Sequence, residues 1–320
     1  MTRPIAVYYE HPQWFRPLFH ELDRRETPYV RIDAGQHGFD PASPPRNGSR
    51  PALFFNRMSP SAWKRGRGAA IFYTHDYLAH IEREGVSVFN GSDAYRFETS
   101  KALQLALLSR LGLPAPRTRV VNHPSMLPAA SEGLAFPLIV KPNIGGSGAG
   151  ITRFDHFREL VVASEDPRLG GSIDGTLLLQ EYHAPRNRSI VRVETLEYRY
   201  LYGIRVHLGD EDGFDLCPAD VCKTTDGREL TSAACPVDAV KRGLSVEAYE
   251  PPADVIAAVE RIAAEARIDV GGVEYLESER DGNLYFYDIN ALSNFVAQPE
   301  AVIGFDPTAR LVDALLRRAS

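Results

Sequence analysis

Residues 271–295 read GGVEYLESERDGNLYFYDINALSNF, and this stretch decides the fold. Residues 273–276 and 284–289 are short strand patterns on either side of a turn centred on Asp281-Gly282-Asn283. An Asp-Gly pair between alternating apolar residues is a strong hairpin signal. Glu274 falls on the first strand, Asp288 on the second, and Asn290 two residues further on. Residues two apart on a strand share a face, so closing the hairpin brings Glu274 beside Asp288 and Asn290. Two carboxylates and an amide oxygen are hard ligands of the kind Mg²⁺ takes together with waters and nucleotide phosphates. An ordinary exposed hairpin with solvated acids uses the same residues, so the rest of the chain has to choose.

With 320 residues, 44% of them hydrophobic and 24% charged, the chain suits two or three packed subdomains of a globular protein. A net charge of −6 argues against a surface for polyanions, so no nucleic-acid partner is expected. No apolar run approaches the roughly 20 residues needed to span a bilayer, so no membrane partner is expected either. The opening MTRPIAVYYEHPQWF lacks the apolar core of a secretory signal. Three cysteines suit a reducing compartment, and the expected location is cytoplasmic. Cys217 and Cys222 have the wrong spacing for a zinc knuckle and Cys235 stands apart, so free thiols are expected.

Upstream of the hairpin the pattern alternates strand and helix. Residues 5–9 read as a buried strand, and Trp14, Phe15, Leu18, Phe19 and Leu22 repeat at helical spacing. Residues 29–32, 52–55 and 86–89 are further strands and 74–83 a helix, which predicts a small, largely parallel α/β domain up to residue 97. Thr99 or Ser100 can then cap a helix with Leu103, Leu107 and Leu111 along its apolar edge, ended by Gly112 and Pro114. Lys101 sits in its first turn, where the helix dipole offers a cation nothing. It is either a solvated surface lysine or one held to meet an anion.

Residues 136–140 form an apolar strand that ends at Lys141 and runs into Gly145, Gly146, Ser147, Gly148, Ala149 and Gly150. Glycines at this density let backbone N–H groups approach phosphates closely. The loop is neither a Walker A, since the lysine precedes the glycines, nor a dinucleotide fingerprint. Another apolar strand reaches Gln180, Glu181 and Tyr182. Arg186, Arg188 and Arg192 then precede a strand over 198–208 that carries Arg199 and Arg205. Residues 209–249 read as loops and short strands, and two amphipathic helices follow Pro251-Pro252 and Asp306-Pro307. The local density of arginine suits a carboxylate-bearing substrate.

Lys101, the strand with Lys141 and its glycine loop, Gln180-Glu181-Tyr182 and Glu274…Asp288-Ile-Asn290 occur in the order and spacing of the ATP-grasp superfamily. The chain most resembles its RimK-like and glutathione-synthetase-like branches. The resemblance implies an α/β ATP-grasp fold: a pre-ATP-grasp domain over 1–97, a first lobe over 98–179 and a second lobe with the metal site over 180–320. It implies that Lys101 and Lys141 contact ATP phosphates and that Gly145, Gly146, Ser147, Gly148 and Gly150 close over them. By the same resemblance Gln180, Glu181 and Tyr182 line the adenine pocket, while Glu274, Asp288 and Asn290 hold one or two Mg²⁺ ions. The resemblance also implies a cation, an arginine in the family, beside the acyl-phosphate. Arg188, Arg192, Arg205, Lys223 and Arg228 compete, and Arg205 is the expected catalytic residue beside Lys141.

The implied activity is an ATP-dependent carboxylate–amine ligase acting on a small-molecule carboxylate and amine, an amino acid or small peptide. It would proceed through an acyl-phosphate and release ADP and phosphate. A homodimer is the family expectation. A small-molecule kinase on the same fold would form ADP without free phosphate, and a nucleotide-binding protein without turnover would form neither.

Overall fold

The computed structural model describes residues 3–42, 50–146, 148–208 and 245–320. Ser147, Cys217, Cys222, Lys223, Arg228 and Cys235 lie outside the described residues, as does most of the loop region expected over 209–249.

Three sheets carry the architecture. In the first, β1 (Ile5–Tyr9), β2 (Tyr29–Asp33), β3 (Leu53–Arg57) and β4 (Val88–Phe89) run parallel in the order β2-β1-β3-β4. β1 and β3 are buried along their whole length, which is why they read as unbroken apolar runs. Helix α1 (Arg16–Arg24) covers Ile5, Val7 and Phe55, while α2 (Gly68–Arg83) covers Ala6, Tyr8 and Phe54 on the other face. The C-terminal helix Pro307–Ala319 joins the α1 side through Leu311, Val312 and Leu315.

The second sheet is antiparallel, with β5 (Thr118–Val121), β6 (Leu138–Pro142), β7 (Thr152–Phe154) and β8 (Leu177–Glu181) in the order β5-β8-β6-β7. Val140 and Leu179 pack against Leu127 and Leu160 of two short helices. The register pairs Ile139 with Gln180 and Lys141 with Leu178, so these four share the opposite face.

The third sheet holds β9 (Ser189–Leu196), β10 (Arg199–His207), β11 (Ser245–Ala248), β12 (Val270–Glu277) and β13 (Leu284–Asn290) in the order β11-β10-β9-β12-β13. Its central strand β9 is absent from the sequence reading, because Arg192 and Glu194 interrupt its valines with charges that look like loop. Behind the sheet, the helix Ala253–Glu265 sets Val255, Val259 and Ile262 against Val191, Val193, Val273 and Tyr275. The helices α3 (Ser92–Glu98) and α4 (Lys101–Arg110) join this same core through Ala94, Leu107 and Leu108. Burial of each of those leucines contributes roughly 1.5–3 kcal/mol, so α4 is anchored to the third sheet. The buried side of α4 differs from the expected one: Leu103 is exposed, and the polar Gln104 is buried beside Leu107.

Asn90 ties the first sheet to the third. It sits at φ +54°, a conformation asparagine tolerates better than most residues. Its Nδ2 donates to the carbonyls of Val270 and Ala291, both at 2.7 Å, and its backbone N–H donates to Asp269 Oδ2 at 2.7 Å.

Candidate active site

The hairpin forms as expected, with Gly282 at φ +72° in the turn and Asn283 N–H donating to Asp281 Oδ1 at 2.9 Å. Its register pairs Glu274 with Asp288 and Gly272 with Asn290. A simple two-residue period does not hold along β13, however. A β-bulge leaves Tyr287 as an extra residue opposite Glu274, between the Tyr275–Phe286 and Glu274–Asp288 pairs. Bulges re-aim the side chains that follow them. Phe286 therefore packs into the core behind the sheet while Tyr287, Asp288 and Asn290 line the cavity in front.

That cavity is closed from the other side by the second sheet. Lys141 lines it together with Gly145, Gly146, Gly148 and Ala149, opposite Lys101, Arg192, Glu274, Tyr287, Asp288 and Asn290. The structure thus brings together both lysines, Gly145, Gly146 and Gly148 of the glycine loop and all three oxygen ligands expected from the sequence, whereas Gly150 does not line the cavity. Gly150 has φ +76°, where a side chain is strained, and a Cβ would stand 3.1 Å from the Gly170 carbonyl. A larger cavity of about 410 Å³ lies between Leu201 and the C-terminal helix, but its Arg317 and Arg199 are already paired with Glu197 and Glu260.

The charges inside the cleft are unevenly matched. The Lys101 ammonium is hydrogen-bonded to Asp288 Oδ1, and Asn290 Nδ2 donates to Asp288 Oδ2 at 3.3 Å. Burial alone would raise the Asp288 carboxyl and lower the Lys101 ammonium. Their mutual attraction overrides it, so Asp288 is held below and Lys101 above its ordinary range. Lys141 has no ion pair or hydrogen bond of its side chain among the described residues. Burial, then the neighbouring Lys101, pushes its pKa down to about 7, with Asp288 opposing. Glu274 is raised by burial and by Asp288, against the pull of Arg192.

Arg192 is the cation the sequence reading weighed but did not choose. It lies opposite Glu274 in the register and is 4% exposed. Its Nε donates to Glu194 Oε1 at 2.6 Å, Nη1 to Glu274 Oε1 at 3.1 Å and Nη2 to Ser293 Oγ at 2.9 Å. Arg205, the expected catalytic arginine, does not line this cavity. It pairs with Val191, so it projects from the face behind the sheet, where its guanidinium lies 3.9 Å from the Tyr249 ring and 3.8 Å from Glu247. Alternation along β9 and β10 separates the two arginines.

Gln180, Glu181 and Tyr182 do not line the cavity with the lysines. Gln180 shares the Lys141 face, and its Nε2 donates to Thr118 Oγ1 at 2.8 Å. Glu181 turns the other way and accepts from the Ala135 N–H at 2.8 Å. The Tyr182 carbonyl accepts from Arg280 at 3.1 Å, which ties the hairpin to the second sheet.

Glu98 and Arg57 adjoin the site, and of the two Glu98 was not singled out in the sequence. Glu98 accepts the N–H groups of Ala291 and Leu292, the latter at 3.1 Å, and burial pushes its pKa up to about 7. Arg57, at the end of β3, donates to the Ser293 carbonyl at 2.5 Å and to Asn294 Oδ1 at 3.2 Å. The available signal was spacing: Glu98, Lys101 and Gln104 stand three apart across the junction of α3 and α4.

The donor set fits Mg²⁺. Among the described residues no group of three acidic, His or Cys side chains could hold a metal. The two carboxylates and one amide here leave coordination positions for phosphate and water, the usual way Mg²⁺ is shared with a nucleotide.

No family profile matches the chain. The D-alanine–D-alanine ligase B of Pseudomonas putida is 30% identical over 135 residues, which cover 39% of this chain and 42% of that protein. The chain thus matches about two fifths of the length of this curated relative. Among solved structures, the ATP-grasp ligase PsnB complexed with minimal precursor superposes with a TM-score of 0.67 at 20% identity, covering 99% of this chain and 100% of that one. The RimK domain protein ATP-grasp from Sphaerobacter thermophilus gives 0.64 at 16% identity, covering 97% and 99%. Likeness over the whole chain shows the ATP-grasp fold that the sequence motifs implied. Among the described residues no helix is long and apolar enough to cross a membrane.

Proposed function

We propose that this ATP-grasp chain is an ATP-dependent carboxylate–amine ligase. The observation that carries the reading is the single cleft in which Lys101, Lys141 and the glycine loop meet Glu274, Asp288 and Asn290. Lys141 is the phosphate ligand in this reading: a buried cation with no paired carboxylate among the described residues gains most from an incoming anion. Lys101, already held on Asp288, supports both the phosphates and the ligand carboxylate. Glu274, Asp288 and Asn290 would hold Mg²⁺. When bound, the ion offsets negative charge on the transferring phosphoryl group.

The substrate carboxylate attacks the γ-phosphorus, the bond to the bridging oxygen breaks, and ADP leaves. An amine then attacks the acyl carbon of the mixed anhydride, and phosphate leaves with the C–O bond electrons. Arg192, the arginine on the cavity face, replaces Arg205 as the group that stabilises oxyanion charge in the second step. The glycine loop excludes water, which would otherwise hydrolyse the anhydride. Because PsnB is complexed with a precursor, the carboxylates worth offering include peptide side chains as well as free amino acids.

The test is a screen for phosphate and ADP release over pools of amino acids, carboxylates and peptides, with mass spectrometry of the product. Equal release of both with a condensation adduct supports the ligase. ADP with a phosphorylated product and no free phosphate would replace it with a kinase.

A further inference from the structure

Among the described residues β13 is the edge strand of its sheet, and one side of its backbone has no neighbouring strand. Unpaired edge groups are normally left to water or to another chain. Here they are met one by one by groups from α3, α4 and the segment that follows α4. The carbonyl of Pro114 accepts the Phe286 N–H at 2.9 Å. Gln104, on α4, uses both ends of its carboxamide on one residue: Nε2 donates to the Ile289 carbonyl at 2.8 Å, and Oε1 accepts the Ile289 N–H at 3.2 Å. Glu98, the last residue of α3, then accepts the N–H groups of Ala291 and Leu292 through one oxygen. Lys101 stands between them in sequence and meets the Asp288 carboxylate.

We propose that Gln104 and Glu98 are positioning residues for the cation ligands. They clamp the backbone immediately before and after Asn290 and so fix where Asp288 and Asn290 aim. The need for such a clamp follows from the bulge. It puts Asp288 and Asn290 on the cavity face, but a bulged edge strand has lost regular ladder bonds and gains no register from an outer neighbour. A carboxamide that bonds both N–H and C=O of Ile289 substitutes for that neighbour. Gln104 is 3% exposed and Glu98 7%, so neither is a surface residue that happens to reach the strand. Gln104 Nε2 also donates to the Phe97 carbonyl at 2.8 Å, which ties the end of α3 to the same clamp. A buried polar side chain bonded to ligand-bearing backbone acts as outer-shell partners of metal sites do, where losses of about 10–100-fold in metal affinity are usual.

The inference rests on the ligase reading only in that the cleft takes a divalent cation with a nucleotide. The test is Mn²⁺ binding in the presence of ADP, read by electron paramagnetic resonance, with amide hydrogen exchange at Ile289, Ala291 and Leu292. Gln104→Ala and Glu98→Ala are expected to weaken Mn²⁺ about 10–100-fold and to speed exchange at those amides, while ADP affinity without metal changes less than about twofold. Glu98→Gln, which keeps an acceptor oxygen, is expected to stay within about threefold of wild type. Gln104→Met, similar in volume, serves if the alanine variant does not fold, and is expected to show the same loss. Faster exchange with unchanged Mn²⁺ affinity would overturn the inference and leave the two residues as covers for a strand edge. Absence of Mn²⁺ binding in the wild-type protein would instead overturn the ligase reading beneath it.

Discussion

Lys101 on α4 and Lys141 on the second sheet face one cleft, and they sit in opposite electrostatic states. Lys101 is engaged with Asp288 and stays charged across the physiological range. Lys141 is 5% exposed, has no counter-charge of its own among the described residues and sits near its titration point at neutral pH. The protein invests one carboxylate in two cations. Lys101 is therefore part of the folded structure, whereas Lys141 is a cost that an anion relieves.

The largest effect expected from this contrast is on stability. Lys101→Met leaves the Asp288 carboxylate without its partner and should destabilise the protein by about 2–3 kcal/mol. That is below the full cost of breaking a buried pair, because the two side chains are 15% and 21% exposed. Adding Asp288→Asn should recover most of the loss in thermal denaturation. If Lys101→Met melts like wild type, the pair is not structural and the contrast fails.

Lys141→Met should do the reverse. It removes a desolvated cation, so the ligand-free protein should melt higher than wild type, while ADP affinity falls about 30-fold, the worth of one charge-assisted hydrogen bond. Titration calorimetry and a melting curve check both halves. An affinity equal to wild type would take Lys141 out of the phosphate site.

A smaller effect sharpens the same contrast by pH. Folding lowers the Lys141 pKa from 10.5 to about 7, so between those values the unfolded chain holds a proton the folded chain lacks. Stability of the ligand-free protein should therefore rise with pH over that window, and the rise should be missing in Lys141→Met. Bound phosphates favour the cation, so ADP binding at pH 8 should take up part of a proton. Calorimetry in two buffers of different ionisation enthalpy measures it, and no uptake would place the phosphates elsewhere.

How much of this was legible beforehand depends on range. The hairpin, the glycine loop and the parallel β1 and β3 announce themselves through neighbours in sequence, such as Asp281-Gly282 or unbroken apolar runs. Hairpin spacing brought Glu274, Asp288 and Asn290 together, and the resemblance to the ATP-grasp superfamily added Lys101 and Lys141. What stayed hidden depends on partners far along the chain. β9 looks like loop until Arg192 and Glu194 are seen facing Glu274 and Gly272 across the sheet. The inward turn of Gln104 makes sense only once Ile289, 185 residues away, needs a partner. The bulge at Tyr287 leaves only a slip of the apolar spacing from two to three between Phe286 and Ile289.

The choice between Arg192 and Arg205 turned on strand parity, and it repeats the contrast of the lysines with the smallest expected effect. Both lie on adjacent strands of the third sheet, but Arg192 pairs opposite Ile204 while Arg205 pairs opposite Val191, so they project to opposite faces. Arg205 is one-third exposed and its nearest carboxylate, Glu247, is more than half exposed. An ion pair of this kind is worth about 0–1 kcal/mol. Arg205→Ala should therefore change stability by less than about 1 kcal/mol, to which lost stacking on Tyr249 contributes, and should leave ADP and Mn²⁺ affinity within about twofold of wild type. Arg192→Ala strands Glu194 and Glu274 in a buried site, so its melting temperature should fall by far more. Equal losses of nucleotide affinity in the two variants would mean that the face of the sheet does not decide which arginine serves the cleft.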